Sequence, residues 1–175
     1  VIGVVAGYFV RFQMAEKKTG SAEETARRIV DDARSQAETM KKEKLLDNFL
    51  ERHEAEHPFP EDVELIRDID YMGDGMACHF MDIYRGKKHD KKHDKKLPIM
   101  FNLHGGGFLL GKKEESHLFC AEMSQKGFLV FSLEYPLAPE SLFPQILRDL
   151  MKGIKNSRVY FQKYNGDEER IYLTG

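Results

Sequence analysis

The chain has few cysteines, no excess of charge and no apolar run long enough to cross a membrane. Its two cysteines, Cys78 and Cys120, lie far apart without CxxC spacing. This excludes a disulfide framework and a cysteine zinc site, and fits a reducing compartment. The net charge is −2 over 175 residues, so no global basic surface favours nucleic-acid binding.

The longest apolar run is VIGVVAGYFV at residues 1–10, followed by Arg11. A membrane span needs about 20 such residues. The run therefore predicts the last half of a span, a truncated membrane-anchor segment at residues 1–11, attached to the cytoplasmic face. Two alternatives stay open: a signal-peptide core, although no small-residue cleavage site follows cleanly, and a buried strand of another domain.

Residues 12–44 are rich in Ala, Glu, Lys, Arg and Gln, with Gly20 as the only breaker, and predict a long helix. Ser21 followed by Glu24 forms a capping-box pattern. Apolar residues recur in steps of 4 and 3 and repeat after eleven residues, which predicts a nearly straight or slightly right-handed coiled coil. These residues are Ala22, Ala26, Ile29, Ala33, Ala37 and Met40. A single solvated helix is the alternative.

From Leu45 onward the composition changes, and alternating strands and helices are predicted. We place the domain boundary at residues 44–48 and expect the helix to end at His57-Pro58. The predicted strands are residues 63–72, 76–84, 97–104, 128–133 and 170–174, with a turn at 73–75 and helices at 114–126 and 141–164. A hairpin followed by β-α-β-α-β implies an α/β fold whose mixed, mostly parallel sheet carries helices on both faces.

The tandem repeat KKHDKKHDKK fills residues 87–96. Its His89, His93 and two aspartates suggest a metal site, but its six lysines would repel a cation. A solvated loop is the prediction. We expect neither a metal nor another cofactor.

The run LPIMFNLHGGGF at residues 97–108 carries the chemistry. An apolar strand ends in a histidine and three consecutive glycines, which are His104, Gly105, Gly106 and Gly107. Such glycines cost backbone entropy and allow main-chain N–H groups to approach a ligand closely. At the carboxyl end of a buried strand these N–H groups can form an oxyanion hole. A flexible glycine turn is the alternative.

A second motif, EYPLAPESLFP at residues 134–144, follows the next strand and leads into a helix. HGGGF followed by EYPLAPE and FP resembles the hormone-sensitive-lipase-like branch of the α/β-hydrolases, which are carboxylic ester hydrolases. The pattern of that family is Asp-Tyr-Arg-Leu-Ala-Pro-Glu, and this chain departs from it at Glu134 and Pro136. The resemblance covers residues 45–175 and implies the N-terminal half of an α/β-hydrolase domain.

The resemblance also implies a role for each matching residue. The N–H groups of Gly105 and Gly106 would bind the oxyanion of an acyl-transfer intermediate, and Gly107 would complete the donor set. The residues expected to give structural support are His104, Tyr135, Pro139 and Glu140. On this interpretation His104 orders the glycine loop and is not the catalytic base.

In this family the nucleophile is the serine of a G-x-S-x-G elbow after the fifth strand, and the acid and histidine follow it. Gly175 follows the predicted fifth strand and looks like the first glycine of that elbow. No serine of the chain stands in elbow context, so we expect the nucleophile, acid and base to be absent and the chain alone to be inactive. A small acyl ester is the expected substrate of the full-length protein.

Residues 1–44 resemble the N-terminal membrane anchor and coiled coil of ribonuclease Y, a bacterial membrane-attached endoribonuclease. The resemblance implies membrane attachment and self-association. No KH-type GxxG loop is present, and His89-Asp90 and His93-Asp94 are only part of the lysine repeat, so the resemblance carries over neither nuclease activity nor a nucleic-acid partner.

Three hypotheses cover the whole chain: half of an intracellular serine carboxylesterase behind a foreign anchor, a membrane-tethered coiled-coil scaffold with a hydrolase-like passenger, or two sequences joined by gene prediction near Lys44.

Overall fold

The computed structural model describes the backbone of residues 2–89 and 95–175, and the side chains of residues 23–53, 55–89 and 95–175. The chain divides into two compact units, residues 1–46 and residues 47–175. The side chains of the apolar run, of Ser21 and of Ala22, as well as the central residues 90–94 of the KKHD repeat, lie outside the described part. The predictions that rest on those residues stay predictions.

The first unit consists of one helix, α1, which begins at Ile2 and ends at Glu56, beyond the boundary of the unit. Gly20 does not interrupt α1. The helix ends directly before His57-Pro58, because helical geometry is disfavoured for the residue that precedes a proline. Ile29 and Met40 of the predicted seam are 62% and 68% exposed. Self-association through that seam therefore stays a prediction. Within the described residues, no helix is both long and apolar enough to span a bilayer.

The second unit contains a five-stranded sheet and three further α-helices. The strands are β1 (Val63–Asp70), β2 (Phe80–Gly86), β3 (Leu97–Leu103), β4 (Leu129–Leu133) and β5 (Gly166–Thr174). The helices are α2 (His117–Gln125), α3 (Gln145–Asn156) and α4 (Val159–Lys163). Short 3-10 turns lie at Ala77–His79, Lys87–His89 and Lys113–Ser116.

The strand order is β1-β2-β4-β3-β5. β2 pairs antiparallel with both β1 and β4, whereas β3 runs parallel to both β4 and β5. The predicted mixed sheet, with a hairpin followed by parallel strands, is confirmed. The carboxyl ends of β3, β4 and β5 consequently meet at one edge of the sheet, which brings the two sequence motifs together.

Apolar residues are buried on both faces of the sheet. One face carries Ile99, Phe101 and Phe131 of the strands and packs against α3 and α4. The other face carries Tyr84 and Val130 and packs against α2. This two-sided burial explains why β3 and β4 read as nearly continuous apolar runs.

The predicted helix over residues 141–164 is wrong in extent. Pro144 precedes α3, which begins at Gln145 because the residue before a proline avoids helical geometry. The helix ends before Ser157, whose hydroxyl donates to the carbonyl of Gly153 at 2.6 Å. Such back-bonding to the residue four positions earlier competes with helix continuation, and α4 follows as a separate short helix.

Other boundaries also shifted. The predicted helix over residues 114–126 starts as a 3-10 turn, and only its second part, α2, is α-helical. β2 begins four residues later than predicted because the 3-10 turn at Ala77–His79 precedes it. β5 begins at Gly166 instead of Arg170, because Leu97 of β3 pairs with Gly166.

Candidate active site

The glycines predicted to bind an oxyanion lie directly after β3, in a segment we call the glycine loop (residues 104–113). Gly106 and Gly107 have φ of +110° and +63°, a region that L residues rarely adopt. A Cβ on Gly106 would lie 1.7 Å from the carbonyl oxygen of Leu110. Gly106 is therefore required both by its backbone conformation and by the space around it.

The N–H groups of the three glycines remain open. Gly105, Gly106 and Gly107 are exposed, and no acceptor in the described part of the chain takes a hydrogen bond from their N–H groups. The loop closes through a different bond, in which the N–H of Leu109 donates to the carbonyl of Gly106 at 3.2 Å. Three free main-chain donors in one turn can bind an anion.

His104 is buried and bonded through both ring nitrogens. Its Nε2 lies 2.8 Å from a carboxylate oxygen of Glu134, and its Nδ1 lies 2.9 Å from the carbonyl oxygen of Gly105. Both partners can accept, so this geometry favours a ring that donates through both nitrogens. Burial alone would lower the pKa of His104, but the hydrogen bond and charge of Glu134 outweigh it and raise the pKa above 6.5. Both ring nitrogens of His104 are thus engaged by neighbouring groups, and its role in ordering the glycine loop stays a prediction.

Tyr135 supports the same histidine. Its ring stacks on that of His104 at 4.2 Å with an interplanar angle of 5°. Its hydroxyl donates to the backbone carbonyl of His104, and burial raises the pKa of Tyr135 to about 12, so the proton stays in place at neutral pH. The motif residue Tyr135 thus contacts the start of the glycine loop directly.

Glu134 makes contacts that the sequence did not reveal. One of its oxygens accepts from His104, and the other accepts the backbone N–H of Lys113 at 3.0 Å. In the sequence, Glu134 stands out only as a departure from the family pattern. The sequence contained one indication of these contacts: Glu134 follows β4 directly and precedes Tyr135, in the motif that accompanies HGGG.

Lys113, at the far end of the glycine loop, was also missed. It is 4% exposed, and its Nζ lies 3.0 Å from both carboxylate oxygens of Asp82, which is 1% exposed. Burial alone would lower the pKa of Lys113, but hydrogen bonds to Glu114, Asp82 and Asp68 raise it, so the ammonium stays charged. The signal was an aspartate between the apolar residues Met81 and Ile83 of β2.

Pro139 and Glu140, predicted to give structural support, are both exposed. Their segment is joined to the glycine loop by the N–H of Ala138, which donates to the carbonyl of Phe108 at 2.8 Å. No described residue bonds to the side chain of Glu140.

Gly175 shares a cavity with the glycine loop. This cavity, of about 270 Å³, is lined by Gly105, Gly107 and Gly175 and by the side chains of Phe108 and Leu147, among others. A Cβ at Gly175 would lie 2.8 Å from the carbonyl oxygen of Leu103. Gly105 and Gly107 of the glycine loop and Gly175 at the end of β5 therefore border one mostly apolar space, large enough for a small organic group.

The KKHD repeat does not bring metal ligands together in the part the structure describes. His89 bonds through Nε2 to the carbonyl of Gln125 at 3.2 Å. Across residues 23–53, 55–89 and 95–175, no group of three His, Cys, Asp or Glu side chains could hold a metal ion.

Comparison with known proteins gives one match for the N-terminal part of the chain and another for its C-terminal part. A family described as BD-FAE matches residues 81–175, and the RNase Y N-terminal region matches residues 1–65. Both resemblances inferred from the sequence are confirmed.

Individual relatives support both matches. Versiconal hemiacetal acetate esterase of Dothistroma septosporum is 32% identical over 80 residues, covering 45% of this chain and 24% of the relative. Ribonuclease Y of Finegoldia magna is 49% identical over 47 residues, covering 27% of this chain and 9% of the relative. The chain thus spans about a quarter or less of the length of these two curated proteins.

The crystal structure of esterase B from Lactobacillus rhamnosis shares the fold, with a TM-score of 0.74 at 18% identity. The match covers 83% of this chain and 45% of that protein. The predicted partial α/β-hydrolase fold behind a long N-terminal helix is confirmed.

Proposed function

This chain belongs to the BD-FAE family, and from that premise we propose that it carries the oxyanion-binding half of a serine-dependent carboxylic ester hydrolase. Residues 81–175 are esterase- or lipase-like α/β-hydrolase sequence, and an RNase Y N-terminal region is also present. One observation carries the proposal: Gly105, Gly107 and Gly175 line a single, mostly apolar cavity, and the N–H groups of Gly105–Gly107 have no acceptor among the described residues.

In the proposed reaction, a serine hydroxyl adds to the carbonyl carbon of an ester and the carbonyl oxygen becomes an oxyanion. The N–H groups of Gly105 and Gly106 donate to that oxyanion, and Gly107 completes the donor set. One such donor lowers the barrier by about 3–4 kcal/mol. The proton of the serine hydroxyl passes to the triad histidine that follows the serine in the chain, not to His104.

The serine belongs to a G-x-S-x-G elbow that Gly175 begins, and the acid and base follow it in the chain. The 175 residues therefore supply oxyanion donors but no complete catalytic triad, and we expect them to be inactive alone. A small acyl ester is the proposed substrate, since the cavity beside the glycines is about 270 Å³ and mostly apolar.

The decisive test reads one continuous transcript past codon 175 and assays the encoded chain on a p-nitrophenyl ester. We expect an S-x-G continuation after Gly175, turnover by the extended chain, and loss of that turnover in Gly106→Ala. As a matched control, Gly75→Ala also places a side chain at positive φ, +74°, with open space around it, and should retain activity.

Two results would contradict the proposal. A reading frame that stops at codon 175 removes the esterase function from this chain. Turnover by the 175-residue chain above a heat-killed control contradicts the missing triad.

A second candidate function rests on the match of residues 1–65 to the RNase Y N-terminal region. In this proposal α1 is the working part, which attaches to the cytoplasmic face of a membrane and self-associates along the exposed seam. Co-sedimentation with membranes and a sedimentation-velocity mass above the monomer are expected. A monomeric chain that stays in the supernatant excludes it, and a transcript that does not cross codons 30–60 shows that the two parts were joined by gene prediction.

A further inference from the structure

The glycine loop is held at both ends by one side chain. Glu134 accepts from Nε2 of His104 at 2.8 Å through one carboxylate oxygen, and from the N–H of Lys113 at 3.0 Å through the other. His104 and Lys113 are the first and last residues of the loop. A single carboxylate therefore fixes the distance between its ends, while the glycines between them keep their N–H groups free.

Glu134 is itself fixed to the sheet. It directly follows β4, and its backbone N–H donates to the carbonyl of Phe80 in β2 at 2.9 Å. Its own carbonyl accepts the hydroxyl of Tyr71 at 2.9 Å. Because these bonds hold the backbone of Glu134 on both sides, its carboxylate has a defined position relative to β2 and β4.

The far end of the loop is anchored independently. The ammonium of Lys113 binds the buried carboxylate of Asp82 in β2, and the carbonyl of Lys113 accepts the hydroxyl of Ser132 in β4 at 3.2 Å. Lys113 is thus tied to the same two strands that hold Glu134. The loop spans two points of a rigid sheet.

Inside the loop, Gly111 folds back onto the ring of His104. A Cβ at Gly111 would lie 2.3 Å from Nδ1 of His104 and 2.4 Å from the carbonyl oxygen of Gly105. No side chain fits there. The ring is consequently enclosed by Gly111, Gly105 and Tyr135, with its remaining nitrogen directed at Glu134.

We propose that Glu134 is the positioning residue of the glycine loop: its carboxylate joins His104 to Lys113 and so preorganises the N–H groups of Gly105–Gly107 before a ligand arrives. Calling that ligand an oxyanion rests on the proposed function. The preorganisation itself does not, because every contact that produces it lies within the described residues. Preorganised donors stabilise developing charge without rearrangement during the reaction.

The test uses the full 175-residue chain and its Glu134→Gln variant. Glutamine keeps the size of the side chain but carries no charge, so its oxygen can still accept from Lys113, whereas its amide can bond to His104 only when Nε2 of that ring is unprotonated. The two charge-assisted bonds of the carboxylate are therefore lost or replaced by weaker neutral ones. Hydrogen exchange by NMR is expected to be faster by about tenfold or more at the hydrogen-bonded amides of the loop, which are those of Leu109, Lys112 and Lys113, because a hydrogen bond to a charged group is lost. The amides of α2 and β4 should keep their rates, and the resonances of Gly105–Gly107 should shift.

A second readout is the imidazole of His104, followed by ¹⁵N chemical shifts during a pH titration. The charged groups that act on it are Glu134 at the end of β4 and Glu115 in the 3-10 turn before α2. Removing the charge of Glu134 should lower the pKa of His104, a change that loss of packing alone would not produce. Glu169→Gln, the same chemical change at an exposed position in β5, is the control and should leave both readouts as in the parent chain.

Wild-type exchange in the loop of Glu134→Gln would overturn the proposal, and so would equal acceleration throughout the second unit, which indicates a general structural role. If Glu134→Gln does not fold, Glu134→Asp decides, because it keeps the charge but is too short to reach both ends. Faster exchange confined to residues 104–113 then supports the proposal, and an unchanged pattern overturns it. Since no readout needs ester turnover, failure of the proposed function would leave this result standing.

Discussion

Two glycine-rich loops of this chain follow strands. In the first, a carboxylate of the loop itself accepts hydrogen bonds from the main-chain N–H groups, whereas in the second these N–H groups have no acceptor among the described residues. After β1, the acid-filled loop (residues 70–75) wraps the carboxylate of Asp70, which accepts from Met72 at 3.0 Å, Gly73 at 2.6 Å and Gly75 at 2.7 Å. After β3, the glycine loop leaves the N–H groups of Gly105–Gly107 exposed and without an acceptor in the described residues.

This difference shows how main-chain N–H groups that converge on a carboxylate stabilise its charged form. The N–H groups of Gly75, Gly73 and Met72 lower the pKa of Asp70, because they stabilise its charged form. The acid beside the glycine loop, Glu134, is already bonded to His104 and Lys113. The glycine loop therefore has donors but no acid of its own to occupy them, which favours an external anion as its ligand.

The largest expected effect comes from Gly106→Ala, compared with Gly75→Ala in the acid-filled loop. Both residues have positive φ, but a Cβ at Gly106 meets the carbonyl of Leu110 at 1.7 Å, whereas a Cβ at Gly75 meets nothing within 4 Å. Gly75→Ala should lower the free energy of unfolding by about 1–2 kcal/mol, the cost of left-handed backbone. Gly106→Ala should cost about 3 kcal/mol or more, since strain and a backbone clash add. Urea unfolding of the full chain measures both, and equal losses would show that the glycine loop is not sterically constrained.

A smaller effect is expected from Tyr135→Phe. The change keeps the ring that stacks on His104 but removes the hydroxyl that donates to its buried carbonyl. Leaving that carbonyl unpaired should cost about 1–2 kcal/mol. Tyr172→Phe is the control, because Tyr172 is 51% exposed. If the two variants lose the same free energy in urea unfolding, the hydroxyl of Tyr135 does not hold the glycine loop.

The sheet could be predicted from the sequence because its signals are local. β3 and β4 are short apolar runs buried on both faces, and the hairpin of β1 and β2 is marked by a glycine turn. The single helix over residues 141–164 was wrong because apolar periodicity outweighed Pro144 and Ser157 in the prediction. Those two residues act on the backbone regardless of which face is apolar.

The candidate site could be predicted only in part. The glycines were recognised because their chemistry lies in consecutive residues. The contacts of Glu134 with His104 and Lys113 join residues 30 and 21 positions apart, and those of Lys113 with Asp82 span 31 positions. No local pattern encodes such pairs, and only the meeting of β2, β3 and β4 in the sheet brings them together.

A more local effect is expected in the acid-filled loop from Asp70→Asn. The lowered pKa of Asp70 means that its contribution is present above the ordinary value of 3.8 and is lost as pH falls through the lower folded value. In the parent chain, hydrogen exchange at Met72, Gly73 and Gly75, corrected for intrinsic rates, should therefore become faster only in that acid range. Asp70→Asn keeps one acceptor oxygen, which can still accept from Met72 and Gly73, so it should show fast exchange at neutral pH at the amide of Gly75, whose acceptor is replaced by an NH2 group. Unchanged protection in the variant would mean that the carboxylate does not hold the loop.

The smallest expected effect comes from Glu140→Ala, which tests whether a carboxylate of this chain occupies the N–H groups of the glycine loop. Glu140 is exposed in the segment that Ala138 joins to the glycine loop. If its carboxylate moved in solution to occupy the free N–H groups, the glycine loop would be acid-filled like residues 70–75. Because no described residue bonds the side chain of Glu140, we expect its removal to change the free energy of unfolding by less than about 0.5 kcal/mol. The amide resonances of Gly105–Gly107 should stay in place, whereas Asp70→Asn should shift those of Met72, Gly73 and Gly75. A shift of the Gly105–Gly107 amide resonances in Glu140→Ala would show that the carboxylate of Glu140 occupies these N–H groups. The glycine loop would then have to release that carboxylate before it could bind an external anion.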